Sequence, residues 1–203
     1  MSTRDSDATA PRLCGLVLAA GAGRRYGVPK ALVRDSDGTP WLTRAVDALR
    51  QGGCDDVVVV LGAQAEEARK LVPDRTMIVP IEGWPEGMAA SLRAGLSDPS
   101  CRAADAVVVM PVDTPDASPR ALHRLVATSA SRTRNALAQA TYGGNPGHPV
   151  LLGRDHLDDI VRMLHGDAGA REYLVAHGVC EVECGDIWSG DDVDVPVGAG
   201  VPG

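Results

Sequence analysis

The sequence contains no phenylalanine, and aromatic residues make up only 3% of its 203 residues. The core must therefore be built mainly from Val, Leu, Ile and Ala. Single-stranded nucleic acid is usually bound on repeated exposed aromatic side chains, and an acidic protein repels a phosphate backbone. Because 27 acidic residues outnumber 20 basic ones, for a net charge of −7, we predict no nucleic-acid partner.

Long apolar runs are also missing. No run of about 18 apolar residues, the length needed to cross a bilayer, occurs. Residues 1–7 are polar and do not form the apolar core of a signal peptide. We therefore predict no membrane association and a cytoplasmic location.

Cysteines are few, odd in number and scattered: Cys14, Cys54, Cys101, Cys180 and Cys184. In a reducing compartment we expect them to be free thiols. The neighbouring pair Cys180 and Cys184 does not by itself fill a tetrahedral zinc site.

Apolar runs of strand length alternate with segments of helical spacing four times between residues 13 and 130. The predicted strands are 13–19, 57–61, 76–80 and 106–110, and the predicted helices are 41–50, 65–71, 88–96 and 118–130. Strands that are apolar on both faces are typical of a parallel sheet covered by helices on both sides. Beyond residue 135 the pattern changes to strands 136–142 and 148–152, helices 155–164 and 168–177, and a last strand 179–184.

This order of elements predicts a Rossmann-like three-layer α/β/α fold, with a mostly parallel sheet and a small antiparallel element in the C-terminal third. We expect a single domain over residues 12–196, between a disordered leader at 1–11 and a flexible tail at 197–203. In open parallel sheets, ligands bind beyond the carboxyl ends of the strands. The loops after the first, third and fourth strands are therefore the candidates for a site.

A glycine-rich loop, 18–30, follows the first strand. Its small residues allow the backbone to approach an anion, and successive N–H groups can surround a phosphate. Arg24, Arg25 and Lys30 can neutralise a triphosphate, although we expect Arg24 to point outward. The loop lacks the ending of a Walker loop and the third glycine of a dinucleotide fingerprint. We interpret it as a phosphate-binding loop; the alternative is a glycine-rich turn with surface cations.

Carboxylates follow the fourth strand and recur near the C-terminus. Asp113 stands beyond strand 106–110, and Asp192 and Asp194 lie in an acidic stretch. Mg²⁺ takes one or two protein carboxylates together with phosphate oxygens, so we expect Asp113 and Asp194 to hold this ion, with Asp192 in reserve. Without the ion, two close carboxylates repel, which predicts a raised pKa for at least one. The alternatives are a turn-capping Asp113 and a solvated acidic stretch.

The glycine-rich loop resembles the signature of the MobA-like nucleotidyltransferases. Its motif positions are matched by Gly21, Arg25, Gly27 and Lys30. The segments 83–96, 144–152 and 166–171 are similar to further blocks of this family, and the last two resemble the G-H-P-V-L and G-D-x-G-A-R blocks of its molybdopterin cytidylyltransferase branch.

The resemblance implies a Mg²⁺-dependent transfer of the NMP part of an NTP to a phosphorylated acceptor, with release of pyrophosphate. Members that use CTP read A-A-G where members that use GTP read A-G-G, and here the sequence is Ala19-Ala20-Gly21. The implied nucleotide is therefore CTP, and the implied acceptor is the molybdopterin cofactor.

The same resemblance implies roles for individual residues. Those implied to bind the nucleotide are Leu18, Ala19, Ala20, Gly21, Gly23, Arg25, Lys30, Gly62, Met88 and Ser91. Those implied to face the acceptor are His148, Asp167 and Arg171. Catalytic roles fall on Arg25, Lys30 and Asp113, and the implied metal ligands are Asp113 and Asp194.

Two alternatives stay open at this point. The same chemistry could use GTP or another nucleotide, or could act on a different small acceptor such as a phosphosugar. The chain could also be a catalytically silent nucleotide-binding module, which its departures from the family pattern at Pro111, Val112 and Val195 favour. Retention of the cationic and carboxylate positions argues against a silent module.

Overall fold

The computed structural model describes residues 10–167 and 169–194. The strands are β1 (Leu13–Ala19), β2 (Asp56–Leu61), β3 (Met77–Pro80), β4 (Ala106–Pro111), β5 (Leu137–Tyr142), β6 (Asn145–Gly153) and β7 (Cys180–Glu183). The α-helices are α1 (Trp41–Gln51), α2 (Ala65–Arg69), α3 (Met88–Leu96), α4 (Pro99–Ala103), α5 (Pro119–Ser129), α6 (Leu157–Met163) and α7 (Arg171–Ala176). Short 3₁₀ turns lie at Lys30–Leu32, Trp84–Glu86, Ala130–Asn135 and Arg154–His156.

Some of the predictions concern residues outside these ranges. Most of the predicted leader, the whole predicted tail and Val195 lie outside the described residues, and the limits of the single domain stay a prediction. Within the described residues, no helix combines the length and the apolar character that crossing a membrane requires.

The strands form one seven-stranded sheet in the order β3-β2-β1-β4-β6-β5-β7. β1 pairs in parallel with β2 and β4, and β2 pairs in parallel with β3. β6 runs antiparallel to both β4 and β5, while β7 is parallel to β5. The predicted sheet, mostly parallel with a small antiparallel element in the C-terminal third, is confirmed.

Helices cover both faces of this sheet, which explains why its strands are continuously apolar. In β2, Val57, Val59 and Leu61 belong to the core shared with α1, α2 and α5. Val58 and Val60 belong to the core shared with α3, α4, α6 and α7. All five side chains are at most 1% exposed, and burial of each Val or Leu contributes roughly 1.5–3 kcal/mol. The three-layer α/β/α arrangement is confirmed.

Three local features differ from the prediction. Helix α4 is absent from the predicted elements, because five residues are too few to show an apolar period; Asp98 starts it by accepting a hydrogen bond from the N–H of Ser100 at 2.8 Å. Helix α7 begins at Arg171, later than the predicted residue 168. Ser118 precedes α5 as expected, but its side chain makes no capping hydrogen bond.

The cysteines are all free, as predicted. Cys14 on β1 and Cys101 on α4 are fully buried, with their sulfur atoms 3.5 Å apart. Cys180 is exposed and Cys184 is buried, so only one of these two thiols lies at the surface.

Candidate active site

An open cleft lies at the carboxyl ends of β1 and β4, where open parallel sheets bind ligands. Its volume is about 550 Å³, within the range of small-molecule sites. The cleft is lined by the loop after β1, by the start of α3 and by loops that carry carboxylates. The lining residues are 18–26, Lys30, Trp84, Pro85, Gly87, Met88, Ser91, 111–113, His148, Asp167 and Asp194.

The loop after β1 folds back on itself through close backbone contacts. Gly23 has a φ of +60°, and a Cβ atom there would lie 1.8 Å from the carbonyl oxygen of Val28. The N–H of Gly27 donates to the carbonyl of Gly23 at 2.8 Å, and the N–H of Ala63 donates to the carbonyl of Ala20 at 3.0 Å. Because only glycine fits at position 23, the loop has a defined course along the cleft and can present N–H groups to an anion.

Lys30 connects two carboxylates at the edge of the cleft. Its ammonium donates to Oδ2 of Asp113 and to Oδ1 of Asp194, each at 2.8 Å. Arg25 donates from Nη1 to Oδ2 of Asp194 at 3.0 Å. The Lys30 side chain is 14% exposed, whereas that of Arg25 is 80% exposed, so Lys30 makes the stronger contacts. The predicted phosphate-binding cations and the predicted metal ligands therefore meet in one ion-pair network.

Asp192 adds a third carboxylate to this network. Oxygen atoms of Asp113, Asp192 and Asp194 lie within 4.8 Å of one another. The N–H of Val193 donates to the carbonyl oxygen of Asp113 at 2.9 Å, which fixes the C-terminal segment against the loop after β4. The ammonium of Lys30 already lies between two of these carboxylates, and an all-oxygen donor set suits Mg²⁺ or Mn²⁺. The residues present therefore fit a divalent cation.

The ion pairs alter the protonation of the site. The hydrogen bond from Lys30, with the charges of Lys30 and Arg25, holds the pKa of Asp194 below its usual value. Burial lowers the pKa of Lys30, but the hydrogen bonds and charges of Asp113 and Asp194 outweigh it, and the net direction is upward. The repulsion argument predicts a raised pKa for at least one carboxylate, and Asp194 is not that one, because Lys30 supplies a positive charge that the argument did not include.

The residues predicted to face the acceptor are only partly brought together. His148 and Asp167 line the cleft. Desolvation lowers the pKa of His148, and the charges of Asp113 and Asp192 oppose this effect. Arg171 is exposed at the start of α7 and is not among the described residues that line the cleft.

The loop that carries Asp167 packs on the start of α3. The N–H of Ala89 donates to the carbonyl of Gly166 at 3.1 Å. A Cβ atom at Gly87, which has a φ of +107°, would lie 2.3 Å from Oδ1 of Asp167. Met88, predicted to bind the nucleotide, follows directly and is 53% exposed. One predicted nucleotide contact and one predicted acceptor contact thus lie side by side.

Gly62 is not among the described residues that line the cleft, although the family resemblance implies that it binds the nucleotide. A Cβ atom there would lie 2.6 Å from both the carbonyl oxygen of Ala20 and Cβ of Trp84, so Gly62 lets Trp84 pack closely against the loop. Trp84 and Tyr26 line the cleft but were not predicted as site residues. Their positions in the sequence could have predicted them, because each lies in a loop that follows the carboxyl end of a strand. Arg24 is exposed, as expected, yet it also lines the cleft.

Glu183 joins the turn between β5 and β6 to the C-terminal segment. Its carboxylate accepts hydrogen bonds from the N–H groups of Gly185, Gly143 and Gly144 at 2.9, 3.0 and 3.2 Å. The hydroxyl of Thr141 donates to it at 3.0 Å. These hydrogen bonds, led by that from Gly185, lower the pKa of Glu183 from 4.5 to about 2. One carboxylate thus holds two chain segments that are distant in sequence.

This lowered pKa predicts a pH-dependent contribution to stability. The contribution of Glu183 is complete above its unfolded pKa of 4.5 and is lost as the pH falls through its folded pKa of about 2. Glu183→Gln should therefore lower the melting temperature at pH 7, and its difference from the wild type should shrink between pH 4.5 and about 2. Thermal denaturation followed by circular dichroism measures this difference. A difference that stays constant over that range would contradict the role given to Glu183.

A glycine-rich loop and a group of carboxylates thus meet at the carboxyl ends of parallel strands, where open α/β sheets bind their ligands. The family model described as the MobA-like NTP transferase domain matches residues 15–181. The chain belongs to this family, and it is a nucleotidyltransferase by family.

Similar proteins carry different names. Nicotine blue oxidoreductase of Paenarthrobacter nicotinovorans is 33% identical over 93% of this chain and 95% of its own length. A protein of Rhodopirellula baltica named "Probable molybdenum cofactor guanylyltransferase" is 34% identical over 66% of this chain and 64% of its own length. Rv0371c of Mycobacterium tuberculosis has a crystal structure with a TM-score of 0.75 and 31% identity, covering 92% of this chain and 95% of that one. A second structure of Rv0371c, a complex with manganese, has a TM-score of 0.69, 28% identity and 94% coverage of both chains.

Proposed function

We propose that this chain is a cytidylyltransferase that transfers CMP from CTP to molybdopterin, with Mg²⁺ as the cation, and releases pyrophosphate. The observation that carries the proposal is the meeting of Lys30 and Arg25 with Asp113, Asp192 and Asp194 in one cleft. The two basic side chains can neutralise the charge of a triphosphate. The three carboxylates can bind the divalent cation that accompanies the triphosphate. Both sets are available within a few ångströms of each other.

The position of each group indicates its task in this reaction. Backbone N–H groups of the loop after β1 hold the phosphates. Lys30 and Arg25 neutralise the charge that develops as a phosphate oxygen of the acceptor attacks the α-phosphorus and pyrophosphate leaves. The three carboxylates hold the cation, which when bound adds positive charge and orientation at the reacting phosphates. Alignment and charge neutralisation are the main demands of such a transfer.

CTP as the nucleotide is supported by the A-A-G sequence of Ala19, Ala20 and Gly21. Ala20 lines the cleft and is only 4% exposed, and its carbonyl is held by the N–H of Ala63. The relative from Rhodopirellula baltica has a name that favours GTP instead. The base that the cleft accepts therefore decides between a cytidylyltransferase and a guanylyltransferase.

We expect CTP to raise the melting temperature more than GTP, ATP or UTP when Mg²⁺ is present, because a ligand that binds only the folded state stabilises it by mass action. Ala20→Gly creates the A-G-G sequence in the same loop and should reduce the preference for CTP. The same four nucleotides with EDTA in place of Mg²⁺ provide the control. A larger shift with GTP in the wild type would identify a guanylyltransferase.

Molybdopterin as the acceptor is supported by the blocks around His148 and Asp167, both of which line the cleft. Pyrophosphate release in the presence of CTP and molybdopterin tests this assignment, with a phosphosugar as the comparison acceptor. If CTP binds but neither acceptor leads to pyrophosphate release, the assignment of molybdopterin is wrong, and the result favours a silent nucleotide-binding module. Arg171, which lies outside the lining, should matter less to the acceptor KM than His148.

An oxidoreductase is the second candidate, favoured by the match to nicotine blue oxidoreductase over 93% of the chain. Such an activity in this chain would need an electron donor, and the loop after β1 could bind the diphosphate of a nicotinamide nucleotide. The cluster of three carboxylates favours nucleotidyl transfer, because hydride transfer does not require a divalent cation. Adding NADH and NADPH to the thermal-shift panel separates the two. A larger shift with either than with any NTP would favour the oxidoreductase.

A further inference from the structure

The segment that follows β7 carries two of the three carboxylates without being part of a helix or strand. Among the described residues, 184–194 form only turns and irregular backbone. Asp194 is paired with Lys30, and the N–H of Val193 donates to Asp113. The ion pair of Asp194 involves groups that must rearrange when a cation enters, whereas the contact of Val193 joins two backbone groups and holds only the end of the segment. The course of residues 188–191, ahead of these contacts, depends on a contact outside the ion-pair network.

Tyr142, at the end of β5, provides such a contact. Its ring meets the ring of Trp188 edge to face, with centroids 5.3 Å apart and an angle of 80° between the planes. A Cβ atom at Gly190 would lie 2.2 Å from the Tyr142 ring, and one at Gly147 would lie 2.8 Å from it. The ring is thus packed against backbone that only glycine permits. We call these four residues, Tyr142, Gly147, Trp188 and Gly190, the Tyr142 cluster.

The hydroxyl of the same side chain contacts the backbone of β6. It donates to the carbonyl oxygen of His148 at 2.6 Å. His148 lines the cleft, and its strand, β6, is paired with β4 beside Asp113. Tyr142 therefore contacts the C-terminal segment with its ring and the His148 backbone with its hydroxyl.

We infer that Tyr142 is a positioning residue for the metal-binding carboxylates. Its ring fixes Gly190, and Gly190 precedes Asp192 by two residues and Asp194 by four, so the ring determines where these carboxylates lie relative to Asp113. The inference rests on the proposed function, because it assumes that the carboxylates bind a divalent cation. Tyr142 itself does not line the cleft among the described residues.

The ring and the hydroxyl of Tyr142 make different contacts, and the two can therefore be tested separately. The ring contacts the carboxylate segment, so its loss should weaken metal binding. The hydroxyl contacts the His148 backbone, so its loss alone should leave metal binding nearly intact. A residue that only stabilised the core would not separate these two effects. Tyr173 is the control: it is also a tyrosine, its side chain is buried, it makes a hydrogen bond to His156 at 2.8 Å, and it does not line the cleft among the described residues.

The experiment is a titration of the full chain with Mn²⁺ alone, in which free Mn²⁺ is followed by electron paramagnetic resonance. Tyr142→Leu should weaken Mn²⁺ binding about tenfold, the lower end of the effect expected for groups that orient metal ligands. Tyr142→Phe should stay close to the wild type, and so should Tyr173→Leu. Circular dichroism melts establish that each variant is folded at the titration temperature.

Gly190→Ala provides a second, independent variant that keeps the tyrosine. It drives a methyl group into the Tyr142 ring and disfavours the φ of +80° at this position, so it should also weaken Mn²⁺ binding about tenfold. If Tyr142→Leu does not fold, this variant decides the question. Wild-type affinity in a folded Tyr142→Leu or Gly190→Ala protein would overturn the inference.

Failure of the proposed function would look different. In that case the wild type would bind Mn²⁺ no better than Asp113→Asn, whatever residue stood at position 142. If the wild type binds Mn²⁺ and Asp113→Asn does not, the metal site stands, and the Tyr142 and Gly190 variants test the positioning role alone.

Discussion

Lys30→Ala is expected to slow nucleotidyl transfer about 10²-fold, which corresponds to roughly 3 kcal/mol of lost transition-state stabilisation. Lys30 is the least exposed cation of the ion-pair network, and its ammonium lies 2.8 Å from both Asp113 and Asp194. Its loss removes positive charge near the departing pyrophosphate. It also removes the positive charge that is paired with the carboxylates of Asp113 and Asp194. Steady-state pyrophosphate release with CTP and the acceptor measures the effect.

Arg24→Ala is the matched control, because Arg24 belongs to the same loop and is exposed. It lines the cleft but makes no ion pair with the described residues, so its loss should cost less than that of Lys30. If Arg24→Ala proves the more damaging change, the assignment of positions within the phosphate-binding loop is wrong.

Asp113→Asn is expected to abolish turnover, with a loss of about 10³-fold or more, while the protein stays folded. The carboxylate of Asp113 belongs to the three-carboxylate group and contacts Lys30, so the substitution removes a charge that the cation needs. The contact between the backbone of Asp113 and Val193 does not depend on the side chain and should persist. Pyrophosphate release measures activity, and a circular dichroism melt measures the fold.

Asp116→Asn serves as the control for this substitution. Asp116 lies three residues further along the same loop, is exposed and forms no ion pair among the described residues. It should retain turnover. Retained turnover in Asp113→Asn, or unfolding of that variant at the assay temperature, would contradict the assignment of Asp113 to the cation.

The elements of the fold could be predicted because their signals are local. The apolar run at 57–61 and the helical spacing in 41–50 each reflect burial on a known number of faces, and the structure has β2 and α1 there. The strand order could not be predicted in the same way. β6 lies between β4 and β5, and this position depends on packing between segments that are distant in sequence.

The candidate site could likewise be predicted only where its signals are local. Asp113 could be predicted because it directly follows β4, where open sheets bind ligands. The ion pairs of Lys30 with Asp113 and Asp194 could not, because they depend on where a flexible side chain reaches in three dimensions. The charge of Lys30 is also the reason that the pKa of Asp194 is lowered, which repulsion between carboxylates alone does not predict. The choice between Asp192 and Asp194 was equally beyond the sequence, because both lie in a segment without a regular period and the structure brings both to Asp113.

The central place of β1 links the folding of the chain to the assembly of its site. β1 pairs with β4 across a long stretch of intervening sequence, and such distant pairings form slowly during folding. The loop that carries Lys30 starts where β1 ends, and Asp113 follows where β4 ends, so the pairing that closes the core also brings these residues together. Asp192 and Asp194 belong to a segment that follows β7 and takes no part in that pairing. Damage to β1 or β4 should therefore cost stability and activity together, whereas damage to the segment after β7 can yield a molecule that is folded but inactive.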